Sequence, residues 1–209
     1  MRTPRTPSLE SLQGRCIRTG RAGFTLLEIL IATAIFGLVL ANVTMVSRTS
    51  QEAYRTGAFM GVLEEQAEQT MDRIEMAVMS SEHADLAPAP PLFASAIDYE
   101  RSLGVEDGQM IFDDPERIEL ELGLGQVTWL QNPQTAEERK VVWTRHVPEY
   151  MQDELPNAAD DNDNGLVDES GLSFDMEGRQ VSIRLTLQRE DSKSRVYTRM
   201  IESRVTCRN

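Results

Sequence analysis

Residues 21–46, RAGFTLLEILIATAIFGLVLANVTMV, decide how this chain is built. They hold the one long apolar run of the sequence, which begins abruptly after a small residue, Gly23. From Ile29 to Val46, 18 residues pass without a charge. As an α-helix such a run spans roughly 27 Å, enough to cross the hydrocarbon core of a bilayer. Gly37 and Asn42 weaken the helix without ending it. Glu28 stands inside the start of the run, where a carboxylate is costly unless it is paired. The expectation is that Glu28 lacks a partner in its own helix and finds one elsewhere.

Outward from this run the charge is uneven. Residues 1–23 carry five Arg (Arg2, Arg5, Arg15, Arg18, Arg21) against one Glu10, and residues 24–209 carry 16 basic and 33 acidic side chains. A basic flank stays on the cytoplasmic side of an apolar span, so the body after the span is expected outside the inner membrane. That body is strongly acidic and repels nucleic-acid phosphates, which argues against DNA or RNA as a partner. A secretory signal peptide also places a basic region before an apolar one. Here the small residue precedes the run and no small-x-small cleavage site follows it, so the run is expected to be retained.

The segment GFTLLEILIATAIFGL resembles the class III signal of type IV pilins and of type II secretion pseudopilins. Gly23 matches the residue before the cleaved bond, Phe24 the new N-terminus and Glu28 the fifth mature position; Thr25, Leu26 and Leu27 are also typical. The resemblance implies that a prepilin peptidase cuts Gly23–Phe24 and N-methylates Phe24. It also implies that Glu28 serves assembly, its carboxylate neutralising the Phe24 ammonium of an adjacent subunit in a filament. The fold it implies is α+β and pilin-like: a long N-terminal helix, transmembrane then amphipathic, packed on a mostly antiparallel β-sheet head. Four segments follow: a cleaved leader at 1–23, a membrane and filament helix at 24–46, an amphipathic stalk at 47–81 and a periplasmic head at 82–209.

The residues support that division. Phe59, Val62, Leu63, Gln66, Ala67, Thr70, Ile74, Ala77 and Val78 recur at three- and four-residue steps, while Glu64, Glu65, Glu68, Asp72 and Glu75 populate the other side. This is the stripe of an amphipathic helix, with Gly57 and Gly61 as soft points. The segment APAPP, 87–91, ends it. Beyond, the period becomes two. Arg117–Leu122 alternates with Ile118, Leu120 and Leu122 facing inward. Gln126–Leu130 and Lys140–Arg145 are short strands joined by NPQTAEE. Val181, Ile183, Leu185 and Leu187 alternate before the turn EDSK, and Arg195–Val205 follows as the second arm of a hairpin. At least five strands are expected, mostly antiparallel because the links within each pair are short.

A second informative stretch is DDNDNGLVDE, 160–169. Counting Asp160 as position one, oxygen side chains fall at Asp160, Asn162 and Asn164. Gly165 allows a sharp turn, Leu166 offers its carbonyl, and Asp168 or Glu169 closes the shell. Calcium takes about six to eight oxygens around such a turn, so a structural Ca2+ is expected. The spacing resembles loops of EF-hand and dockerin type, but position twelve is Gly171 rather than Glu. Asp161 and Asp163 offer ligands in a shifted register, and a solvated acidic loop without metal is the competing reading.

Nothing in the sequence suggests catalysis. His83 and His146 lack neighbours at ligand spacing, no nucleophile elbow or phosphate loop occurs, and Trp129 and Trp143 read as core or sheet-face residues. After leader removal Cys207 is the single thiol, which excludes an intrachain disulfide and reads as inert. Within the family resemblance, the AIFGL ending, a mature length of 186 residues and a β-rich head ending in a long hairpin are similar to the J-type minor pseudopilin. That implies as partners the I-, K- and H-type minor pseudopilins, the major pseudopilin and inner-membrane lipid. The K-type subunit usually lacks the Glu that this chain keeps at Glu28. Two alternatives stand beside it: a minor pilin that primes type IV pilus assembly, and a membrane-anchored periplasmic enzyme or binding domain.

Overall fold

The computed structural model describes residues 23–82, 86–87, 93–162 and 165–207, with the backbone alone at Phe93. The basic leader, His83, most of APAPP, Asp163 and Asn164 lie outside them. One helix, α1 (Leu26–Ser80), runs through two compact units, residues 1–52 and 53–209.

In the first unit α1 starts on a capping box. The Thr25 hydroxyl accepts the Glu28 amide at 3.2 Å, and a Glu28 carboxylate oxygen accepts the Thr25 amide at 2.9 Å and its hydroxyl at 3.0 Å. Two orphan helix-end donors are thereby satisfied by the sequence TLLE. Every residue from Gly23 to Glu52 is exposed. Phe24 and Leu26 are both 82% exposed, and the helix is long and apolar enough to cross a membrane.

The second unit combines residues 53–80 of α1 with ten strands among the described residues. One sheet has the order β1 (Phe93–Ala94), β8 (Leu172–Glu177), β9 (Gln180–Glu190), β10 (Val196–Thr206). The other is β2 (Ala96–Tyr99), β5 (Glu116–Glu121), β6 (Gln126–Gln131), β7 (Arg139–Arg145), and β3 (Ser102–Glu106) pairs with β4 (Gln109–Phe112). All pairings are antiparallel. The architecture is the expected α+β, pilin-like one, a long N-terminal helix on antiparallel sheets.

The helix buries Leu63, Ala67, Thr70, Met71, Ile74, Ala77 and Val78. The stripe is narrower than its sequence suggests: Val62 and Gln66 are exposed, and Met71 supplies part of the buried face. Leu63, Ala67, Ile74 and Val78 join Ile97, Ile118, Val127, Phe174, Ile183 and Leu185 in one core. At the side of β10, Arg199 pairs with Glu64 at 2.5 Å and the Phe59 and Tyr197 rings lie 5.2 Å apart.

The terminal hairpin forms as expected, in unbroken register from Val196 opposite Glu190 to Thr206 opposite Gln180. Its turn is tied by Asp191, whose carboxylate accepts the amides of Lys193 at 2.8 Å and Arg195 at 2.9 Å. Leu122 departs from expectation. The strand stops at Glu121, whose carbonyl accepts the amides of Leu124 and Gly125, and Leu122 turns outward, 50% exposed. Gly125 belongs to that turn at φ 58°, where a Cβ would meet the Val147 carbonyl at 2.8 Å. Cys207 is buried in the core, and burial pushes its thiol pKa up.

Candidate functional site

The residues singled out by sequence fall in two separate places, one in each compact unit. Gly23, Phe24 and Glu28 stand at the head of α1, all exposed. A Cβ built on Gly23 meets nothing within 4 Å, so this chain's own packing does not demand glycine there. Glu28 corrects the sequence reading. Its carboxylate is not without a partner in its own helix, because Thr25 donates to it twice. Those bonds occupy one oxygen, and a carboxylate has lone pairs enough to accept a further donor. The pattern S/T-x-x-E is a capping signal that could have been read from TLLE directly.

The acidic loop is an excursion whose two ends are laced together. Tyr150 pairs with Ser170, the Met151 amide donates to the Glu169 carbonyl at 2.8 Å, and the Gly171 amide donates to the Glu149 carbonyl at 3.2 Å. The loop lies against β9, where the Gln152 amide donates to the Thr186 hydroxyl at 3.4 Å. Inside it, Asp160 accepts the Gly165 amide at 2.7 Å, and Gly165 makes the turn at φ 89°. Asp168 accepts the amides of Asn157 and Ala158 at 3.1 Å. Asp161 accepts the Asn157 side-chain amide at 2.8 Å and the Leu155 amide at 3.2 Å. Asp160, Asn162 and Leu166 thus stand in one loop with Asp168, while Asn164 lies outside the described residues. Glu169 sits at the loop's base: fully buried, it accepts Ser173 at 3.2 Å and Arg184 at 3.1 Å. Among the described residues no three His, Cys, Asp or Glu side chains are already gathered around one point as a metal would hold them.

Two buried carboxylates carry no role in the sequence reading. Glu154 is 5% exposed, and burial, followed by the charges of Asp161, Glu169 and Asp160, raises its pKa. Glu116 on β5 accepts the Trp129 indole at 2.7 Å and the Tyr99 hydroxyl, and Arg101 pairs with it at 2.7 Å. Burial and that carboxylate push the Tyr99 phenol far above its ordinary range. The Trp129 and Trp143 rings stack at 6.5 Å and pack against the core, as expected for sheet-face residues. His146 leaves β7 at φ 70°, and its carbonyl accepts the Gln188 amide at 2.7 Å.

A capped, fully exposed apolar helix leading into an α+β unit defines a class of helix-anchored, sheet-headed proteins. Residues 18–41 match the family model described as the prokaryotic N-terminal methylation motif. The match includes Gly23, Phe24 and Glu28 and supports a pilin- or pseudopilin-type protein, of the kind that prepilin peptidase processes and that assembles with other pilins. It is consistent with a single-pass inner-membrane protein. No curated protein and no solved structure matches the chain.

Proposed function

We propose that this chain is a minor pseudopilin of a type II secretion system, of the J type, at the tip of the periplasmic pseudopilus that drives export through the outer-membrane secretin. The observation that carries the reading is the methylation motif at 18–41 on a helix whose first half is apolar and wholly exposed. Prepilin peptidase cuts after Gly23 and methylates Phe24. Since the chain's own packing leaves room for a side chain at Gly23, the glycine answers to the enzyme rather than to the fold. The cytoplasmic leader holds the head in the periplasm. Glu28 meets the Phe24 ammonium of a neighbouring subunit through the lone pairs Thr25 leaves free, setting stagger more than stability.

Secretion is favoured over pilus priming by the lone thiol of the mature chain. Cys207 is buried in the core, which suits a head closed by packing rather than by a C-terminal disulfide. The 160–169 loop holds a structural Ca2+, supported by the oxygen spacing, the Gly165 turn and the buried, unbonded oxygens of Glu154. The proposed partners are the I-, K- and H-type minor pseudopilins and the major pseudopilin. Crosslinking the full chain in native membranes and identifying what co-purifies tests the assignment. Recovery of the I- and K-type subunits is expected; recovery of pilus subunits would transfer the chain to type IV pilus assembly.

A further inference from the structure

Among the described residues the buried carboxylates are Glu116, Glu154 and Glu169. Two of them hold an arginine, Glu116 with Arg101 at 2.7 Å and Glu169 with Arg184 at 3.1 Å. Glu154 is different. Both its oxygens are shielded from solvent and neither accepts a hydrogen bond of good geometry, although the Asp168 amide lies close by. The charges around it are negative, those of Asp161, Glu169 and Asp160. A carboxylate buried among carboxylates is unfavourable unless a proton or a cation neutralises it.

The ladder at the loop's base explains how Glu154 comes to face these residues. Met151 and Glu169 are joined across it, and the Glu154 amide folds back onto the Met151 carbonyl at 3.2 Å. The chain therefore enters the loop beside the point where it leaves. An EF-hand-like loop closes its shell with a two-oxygen Glu at position twelve. Here that position is Gly171, where a Cβ would lie 2.3 Å from the Pro148 carbonyl and 3.0 Å from the Val147 side chain. No side chain fits there.

We infer that Glu154, upstream of the loop motif, is a ligand of the calcium site, supplying the two-oxygen carboxylate that Gly171 cannot. Asp160 and Asp161, whose charges bear on Glu154 and which are not gathered around one point with it in the structure, close on the ion when it binds. Glu169 stays with Arg184. The inference rests on the calcium reading of the loop.

The test uses the full chain in detergent micelles, titrated with Ca2+ alone by calorimetry, with thermal unfolding followed in Ca2+ and in EDTA. Wild type should bind one ion, and Glu154→Gln should bind it weaker by about tenfold or more. Glu149→Gln, which removes an exposed carboxylate near the loop's base, should leave binding unchanged. The melting temperatures should cross. In EDTA, Glu154→Gln should melt at or above wild type, since a neutral amide replaces a repelled carboxylate; in Ca2+ it should melt below. If wild type binds no Ca2+, the loop reading falls and this inference with it. Wild-type binding that Glu154→Gln leaves intact overturns the role of Glu154 alone and leaves the loop reading standing. Equal melting of the two proteins in both conditions would mean that a proton neutralises Glu154, and would overturn the inference likewise.

Discussion

Between Leu26 and Glu52, α1 buries no side chain; between Ala53 and Ser80 it buries seven. The backbone is the same and the side chains differ in arrangement. In the first half apolar residues occupy every face, so no single sheet could cover them; a lipid or a ring of neighbouring helices can. In the second half the buried ones lie on one arc, with Glu65, Glu68 and Asp72 left outside, and two antiparallel sheets complete the core. A helix can thus carry two solvation demands along its length, one over the apolar residues 26–46 and the other over the buried arc of residues 63–78.

Substitutions that separate the two halves test this division. The largest expected effect is in the first: Gly23→Val should leave unprocessed precursor on an immunoblot, while the head unfolds as in wild type. Normal mature protein would break the processing assignment. Next, in the second unit, Arg184→Met takes the arginine away from the buried Glu169 carboxylate, which should cost about 3–5 kcal/mol in urea unfolding. Ile74→Ala, at a site with no exposure, should cost about 2–5 kcal/mol. The matched change Ile35→Ala, on the exposed apolar half, should move the same midpoint by less than about 0.5 kcal/mol. Equal effects would erase the distinction between the halves.

The smallest effect concerns pH at the terminal hairpin. The Arg195 amide, then that of Lys193, and the Arg195 guanidinium hold the Asp191 carboxyl below its ordinary 3.8. A carboxyl lowered in the folded state binds fewer protons there than in the unfolded chain. Its stabilisation is therefore present above pH 3.8 and is lost as pH falls through the folded value. Asp191→Asn should lower the melting temperature slightly at pH 7 and flatten the acid limb between about pH 5 and pH 2, so that the two proteins converge at low pH. An unaltered limb would show that Asp191 does not tie the turn.

Much of this was legible in residue order. Period-three and period-four spacing from Leu63 to Val78 announced the buried arc, and the alternation of Val181, Ile183, Leu185 and Leu187 announced β9. The strands from Phe93 to Phe112 were harder to see. They are short, and β3 and β4 bury no residue, so neither face of that two-stranded sheet imposes alternation. Leu122 kept the period of β5 but belongs to the turn, because the carbonyl of Glu121 is claimed by Gly125 rather than by a partner strand. The capping role of Glu28 was written in TLLE, yet its place in an apolar run directed attention to distant partners. Glu154 could not be found by counting forward from Asp160. It reaches the loop only because the pairing of Tyr150 with Ser170 brings the entering and leaving strands together.

The first half of α1 carries the central claim, that this helix is released by a prepilin peptidase for assembly. Its direct test is the intact mass and N-terminal sequence of the protein recovered from membranes of its own host. The recovered chain should start at N-methylated Phe24, with residues 1–23 gone. A chain still starting at Met1, or one cut beyond Val46 with the apolar run removed, would contradict it.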